Sequence, residues 1–137
     1  SRRPTVSMEA ARMDQEYANE LLAQLGTTIV NSEAVAQTAW SSLAVVAGMD
    51  GSLRVWAFMF SDAVDDAESF LPDEEFDDLV TEFHAATMVE GKPGWLACLF
   101  QIDRSSMQIR LTFEYDDAMR WTVTLENRDA LAASLRG

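Results

Sequence analysis

The feature that most restricts this chain is a short break, Met49-Asp50-Gly51-Ser52, set between two apolar runs, Ser42 to Gly48 and Leu53 to Phe60. Both runs are rich in Val, Leu, Phe and Trp, residues that suit a pleated, half-buried surface. An Asp-Gly pair supplies the positive φ angles of a tight type I′ turn, whose twist matches that of the flanking strands. Strands joined this closely can only pair antiparallel. The spacing therefore predicts a hairpin in mid-chain, and the remaining elements must pack around it.

A second hairpin is predicted further on. Trp95 to Ile102 is apolar without alternation, the pattern of a strand covered on both faces. Asp103-Arg104-Ser105-Ser106 reads as its turn. From Met107 to Tyr115 the pattern alternates: Met107, Ile109, Leu111, Phe113 and Tyr115 point one way, Gln108, Arg110, Thr112 and Glu114 the other. Helical periodicity flanks these strands. Met13, Tyr17, Leu21 and Leu25, with Ala18 and Leu22 beside them, predict a helix from Met8 to Leu25 with Gly26 as its stop. Asn31 or Ser32 is placed to cap a short second helix through Ala39. Pro72 and Asp73 open a third helix that runs to about Val89, with Phe76, Leu79, Val80 and Phe83 inward. Asp73, Glu74 and Glu75 fall in its first turn, where the helix dipole favours negative charge. Gly91-Lys92-Pro93-Gly94 ends it.

Ser61 to Phe70 is polar and acidic and reads as a loop. Asp116 and Asp117 break the last strand, Arg120 to Glu126 is irregular, and Asn127 is placed to cap a terminal helix through Arg136. The expected fold is α+β: a four-stranded antiparallel sheet of two hairpins, with N-terminal, central and C-terminal helices packed on one face. The 137 residues read as a single acidic domain, with residues 1–7 a disordered lead-in. A chain of this length buries roughly two-thirds of its unfolded surface and needs no staples.

The residues offer little for catalysis. His84 is the only histidine, and no Ser or Cys nucleophile stands at a recognisable spacing from it. It reads as an ordinary flank histidine. Cys98, the only cysteine, lies in an apolar run and reads as a buried, inert thiol. The lack of any disulfide fits a reducing cytoplasm. No secretory leader is read at the N-terminus, and no apolar run reaches the about 18 residues of a membrane span. Asp62, Asp65, Asp66 and Glu68 crowd one segment, but their spacing is not that of a calcium loop, and the central Gly is missing. With one His and one Cys a zinc site is not expected, nor is any phosphate-cradling Gly-rich motif present. Trp40, Trp56, Trp95 and Trp121 read mostly as core. The expectation is a protein without metal, cofactor or enzymatic activity.

Charge points to a partner. The chain has 23 acidic and 10 basic residues, a formal net charge of −13. Such a field repels nucleic acid and anionic membrane and speeds encounter with a basic protein. Between Arg54 and Lys92 there are eleven acidic residues and no Lys or Arg. With Phe76, Val80 and Phe83 inward, Glu74, Asp78 and Glu82 face outward and Asp77 flanks them. Together with Asp62, Asp65, Asp66 and Glu68 they form a candidate partner-binding surface, with Asp116, Asp117 and Trp121 as secondary candidates. The bland alternative is a face that only keeps the protein soluble. The sharper one is a surface that imitates a phosphate backbone or pairs with Lys and Arg of a partner.

The layout resembles the YezG-like family of bacterial immunity proteins, antitoxins of polymorphic toxin systems. The words that carry the resemblance are Thr38-Ala39-Trp40 before a strand, Asp50-Gly51-Ser52 before an aromatic strand ending Trp56-Ala57-Phe58-Met59-Phe60, and Phe70-Leu71-Pro72 before an acidic helix. Pro93-Gly94-Trp95, Phe113-Glu114-Tyr115-Asp116-Asp117 and Arg120-Trp121-Thr122-Val123-Thr124 continue it, so that it spans residues 12–136. The chain departs from the family's pattern at its C-terminus, which ends in a short Ala-rich helix. The resemblance implies a cytoplasmic protein that neutralises a cognate toxin, often a basic nuclease domain, by direct binding. It implies a monomer when free. A secretion chaperone for an exported effector is the competing expectation, since such chaperones are also small, acidic and α+β. They are usually dimers with exposed apolar grooves.

Overall fold

The computed structural model describes residues 3–62, 64–88 and 94–136, without the side chains of 3–15, 50 and 64–66. In chain order the elements are α1 (Arg3–Val30), α2 (Glu33–Ala36), β1 (Ser42–Asp50), β2 (Ser52–Ser61), β3 (Val64–Phe70), α3 (Glu74–Ala86), β4 (Ala97–Asp103), β5 (Ile109–Glu114) and α4 (Arg128–Leu135). The predicted central hairpin is present: β1 and β2 pair antiparallel from Ser42 opposite Phe60 to Asp50 opposite Ser52. Gly51 turns the chain at φ +77°, a left-handed angle that a Cβ disfavours. The second hairpin joins β4 to β5, with Ala97 opposite Glu114 and Ile102 opposite Ile109.

The sheet has five strands, in the order β3-β2-β1-β4-β5, with every neighbouring pair antiparallel. The added strand is β3, in the stretch expected to be a loop. Asp65, Asp66, Glu68 and Ser69 are poor strand formers, which is why the segment reads as a loop. As an edge strand it needs a partner on one side only, and charged residues on an edge discourage pairing with another chain. Ala57 stands opposite Phe70 and Met59 opposite Glu68, and the register shifts between Met59 and Ser61.

Both faces of the sheet are covered, so the helices do not all share one side as expected. Leu43, Val45, Ala57, Met59, Cys98 and Phe100 face α1 and α3, which bury Leu21, Leu25, Ile29, Phe76, Val80 and Phe83 against them. The alternate residues Ala44, Val46, Phe58, Phe60, Ala97 and Leu99 face the opposite way. Trp121 and the α4 residues Ala132 and Leu135 cover them. The expected double-sided burial of the 95–102 strand is therefore seen, and α4 supplies part of its second cover.

Several boundaries differ for identifiable reasons. The first helix starts at Arg3 and runs through Gly26 to Val30. Gly26 is buried mid-helix, and a Cβ there would lie 2.8 Å from Ile109 Cδ1. Its role is close approach of helix to strand, not termination. The second helix is a single turn, and the hydroxyl of Ser32 donates to Ile29 O at 2.7 Å rather than capping it. Met107 leaves the alternating row because its backbone takes φ 55°. Asn127 stands at the predicted cap position but acts through the turn before it. Its Oδ1 accepts from Thr124 N–H at 2.7 Å, and its Nδ2 donates to Thr122 O at 2.9 Å. The predicted terminator Gly91-Lys92-Pro93 lies outside the described residues. Among those described, no helix is long and apolar enough to cross a membrane.

Candidate functional site: the acidic face of two helices

The amphipathic stripe of α3 fixes what its other face presents. With Phe76, Val80 and Phe83 buried, Glu74, Asp78 and Glu82 are all exposed. Residues four apart stack into one row along a helix. Asp77 is half-buried beside that row. Burial pushes its carboxyl upward from the usual range, and the neighbouring Asp78, Glu74 and Asp73 push it the same way. Its Oδ1 is buried and has no hydrogen-bond partner among the described residues. Asp77 thus sits among like charges, with no ion-pair partner among the described residues.

The first helix extends the row, which the sequence reading missed. Tyr17, expected in the inner stripe, is 47% exposed. Its hydroxyl donates to Glu82 Oε2 at 3.1 Å. That hydrogen bond raises the phenol's pKa first, followed by the charge of Glu82, burial and the charge of Glu20. Glu16 and Glu20 are exposed. The face therefore runs from Glu74, Asp78 and Glu82 on α3 across Tyr17 to Glu20 and Glu16 on α1. Neither α3 nor residues 16–30 of α1 contain a Lys or Arg. The signal was present in the sequence as an i, i+4 pair of glutamates, but only the docking of α1 on α3 joins it to the site.

The other expected residues are dispersed. Glu68 is exposed on the edge strand β3. Asp65 and Asp66 lie in the same strand, with side chains outside the described residues. Asp62 is exposed but lines a separate cavity together with Arg104, Arg110 and Arg136. Asp116 and Asp117 are exposed turn residues. Asp116 N–H donates to Glu114 Oε2 at 3.0 Å, and Asp117 Oδ1 accepts from Met119 N–H at 2.9 Å. The first of these bonds, with lesser help from Arg120 and the Asp117 backbone, outweighs burial and holds Glu114 below its usual carboxylate range. Trp121 is 8% exposed and belongs to the second-face core, with the Arg120 guanidinium 4.6 Å from its ring centre.

The residues weighed for catalysis occupy structural positions. His84 Nε2 stands 2.9 Å from Trp95 O, so it donates there, and its ring meets Trp95 edge-on at 4.6 Å. Trp95 is fully buried and donates from Nε1 to Thr87 Oγ1 at 2.9 Å. Together they clamp the end of α3 to the lead-in of β4. Burial pushes the Cys98 thiol far above its ordinary value. Among the described residues, no group of three or more His, Cys, Asp or Glu side chains is placed to hold a metal ion. A cavity of about 330 Å³ opens on the second face between Val46, Val55, Trp56, Leu71, Trp121 and Val123. The chain matches no protein-family model and no curated protein sequence.

Proposed function

We propose that this chain is an immunity protein that neutralises a cognate bacterial toxin, a basic nuclease-like domain, by direct binding through its acidic surface. One observation carries the proposal: a two-helix face bearing Glu16, Glu20, Glu74, Asp78 and Glu82, on α3 and residues 16–30 of α1, which hold no Lys or Arg. Nuclease sites are basic because they hold phosphates, and clustered carboxylates complement them and speed association. The repulsion felt at Asp77 is relieved when a partner's cations arrive. On this reading the protein acts in the cytoplasm, as a monomer when free, and catalyses nothing itself. The resemblance to YezG-like immunity proteins supports the same reading.

The test is a survival and pull-down assay with the toxin domain encoded beside the gene. Stable binding and rescue of the host are expected. A neighbouring toxin domain that kills regardless of this chain, or a gene neighbourhood without one, overturns the proposal. The secretion-chaperone reading is favoured by one feature, the apolar cavity beside Trp56 and the 66% exposed Leu71. A stable dimer in solution would support it, and a monomer would count against it.

A further inference from the structure

A second charged feature has the opposite sign. At the end of the sheet where β1 starts and β4 finishes, a cavity of about 640 Å³ is lined by Arg104, Arg110 and Arg136, with Ser42, Gln101 and Asp103 among them. Six basic side chains fall within the described residues, Arg54, Arg104, Arg110, Arg120, Arg128 and Arg136. Half of them converge here, from a turn, a strand and the end of α4.

Two of the three are each anchored by a backbone carbonyl and an aromatic ring. Arg104 donates from Nη1 to Trp40 O at 3.2 Å, with its guanidinium 5.6 Å from the Trp40 ring centre. Arg136 donates from Nη2 to Ser61 O at 2.7 Å and lies 5.8 Å from the Phe60 ring centre. At Arg104 the carbonyl and the aromatic face orient the guanidinium without cancelling its charge. Arg110 is exposed on β5 and has no hydrogen-bond or ion-pair partner among the described residues. Of the two carboxylates at the cavity, Asp103 turns Oδ1 to the backbone N–H and hydroxyl of Ser105, at 3.1 and 3.0 Å. Asp62 is exposed.

We propose that this cavity binds a small oxyanion-bearing ligand, a phosphate monoester or a carboxylate, through the guanidiniums of Arg104 and Arg110. Guanidinium forks match the two-oxygen edge of either group and bind it with charge-assisted hydrogen bonds. The chain's net charge of −13 opposes any anion at long range. Affinity must therefore come from short-range fork contacts, which makes it sensitive to fork geometry and not only to charge.

The probes are inorganic phosphate, adenosine monophosphate and citrate, titrated at low ionic strength and followed by backbone amide shifts. Saturable shifts confined to residues around Ser42, Gln101 and Arg104 to Arg110 are expected. Arg110→Gln and Arg104→Lys should each weaken binding by roughly tenfold or more, the loss of one charge-assisted bond. Arg128→Gln, outside the cavity, should leave it unchanged. Arg110 is exposed, so its variant keeps the fold, which an unchanged unfolding midpoint checks. Saturation by phosphate and adenosine monophosphate alone identifies a phosphate ligand, and saturation by citrate alone a carboxylate. No saturable shift with any probe, or binding insensitive to Arg110→Gln and Arg104→Lys, overturns the proposal. The outcome is independent of whether the acidic face binds a toxin.

Discussion

Gly26 gives the sharpest test of how α1 is seated. In an exposed helix interior, replacing Gly with Ala stabilises by about 1 kcal/mol through propensity alone. Here the new Cβ would meet Ile109 Cδ1 at 2.8 Å, while Ile109 Cγ1 stands at 3.9 Å. Cδ1 is the far end of a flexible side chain beside open space, so relieving the contact costs only the low end of the about 1–3 kcal/mol of overpacking, and Gly26→Ala alone should be near neutral. Ile109→Val removes Cδ1 and should by itself cost about 0.5–1.5 kcal/mol. In that background the added methyl fills the space, and Gly26→Ala should stabilise by up to about 1 kcal/mol. The gain from the glycine substitution thus appears only in the Ile109→Val background, a coupling of about 1 kcal/mol. Urea unfolding of the four proteins, followed by tryptophan fluorescence, measures it. Equal effects of Gly26→Ala in both backgrounds would refute the claim that the glycine exists for Ile109.

Two further outcomes are expected. The folded state holds the Asp77 proton more tightly than the unfolded chain does, because burial and then Asp78, Glu74 and Asp73 raise its pKa. The stability this group contributes is therefore present at low pH and lost as pH rises through the raised folded value. Asp77→Asn should be more stable than the parent at neutral pH and equal to it in acid, read from urea midpoints. An equal gap at both pH values would contradict this. Cys98 is fully buried, with its thiol pushed far up by that burial. It should resist alkylation in the native protein and react on unfolding. Rapid native labelling would show that β4 is not covered on its α1–α3 side.

What could be read in advance follows from where the signals reside. The Asp50-Gly51 turn and the β4–β5 hairpin are local, carried by adjacent residues, and both stand as expected. The third strand hides in polar sequence because an edge strand takes its order from β2 and not from its own composition. The position of α4 was legible only indirectly. Ala44 and Val46, like Phe58 and Phe60, are apolar at positions that alternate with those facing α1 and α3. Such double-sided runs require a second cover, but nothing in residues 128–135 says that they provide it. At the candidate site, the row Glu74, Asp78 and Glu82 follows from helical period alone. The contribution of Glu16 and Glu20 depends on helix docking. The convergence of Arg104, Arg110 and Arg136 depends on three separate stretches meeting at one end of the sheet.

The central claim is that the α1–α3 face meets a basic partner. The most direct measurement is the stopped-flow association rate with the toxin domain across a range of salt concentrations. The parent protein is compared with Glu74→Gln/Asp78→Asn/Glu82→Gln. The parent should associate fast, with a rate that falls steeply as salt rises. The variant should associate more slowly and with a flatter salt slope. Any of the three carboxylates desolvated against Arg or Lys adds about 2–5 kcal/mol of lost affinity, mostly through faster dissociation. An unchanged rate with an unchanged salt slope would contradict the account and leave the acidic face with no role beyond solubility.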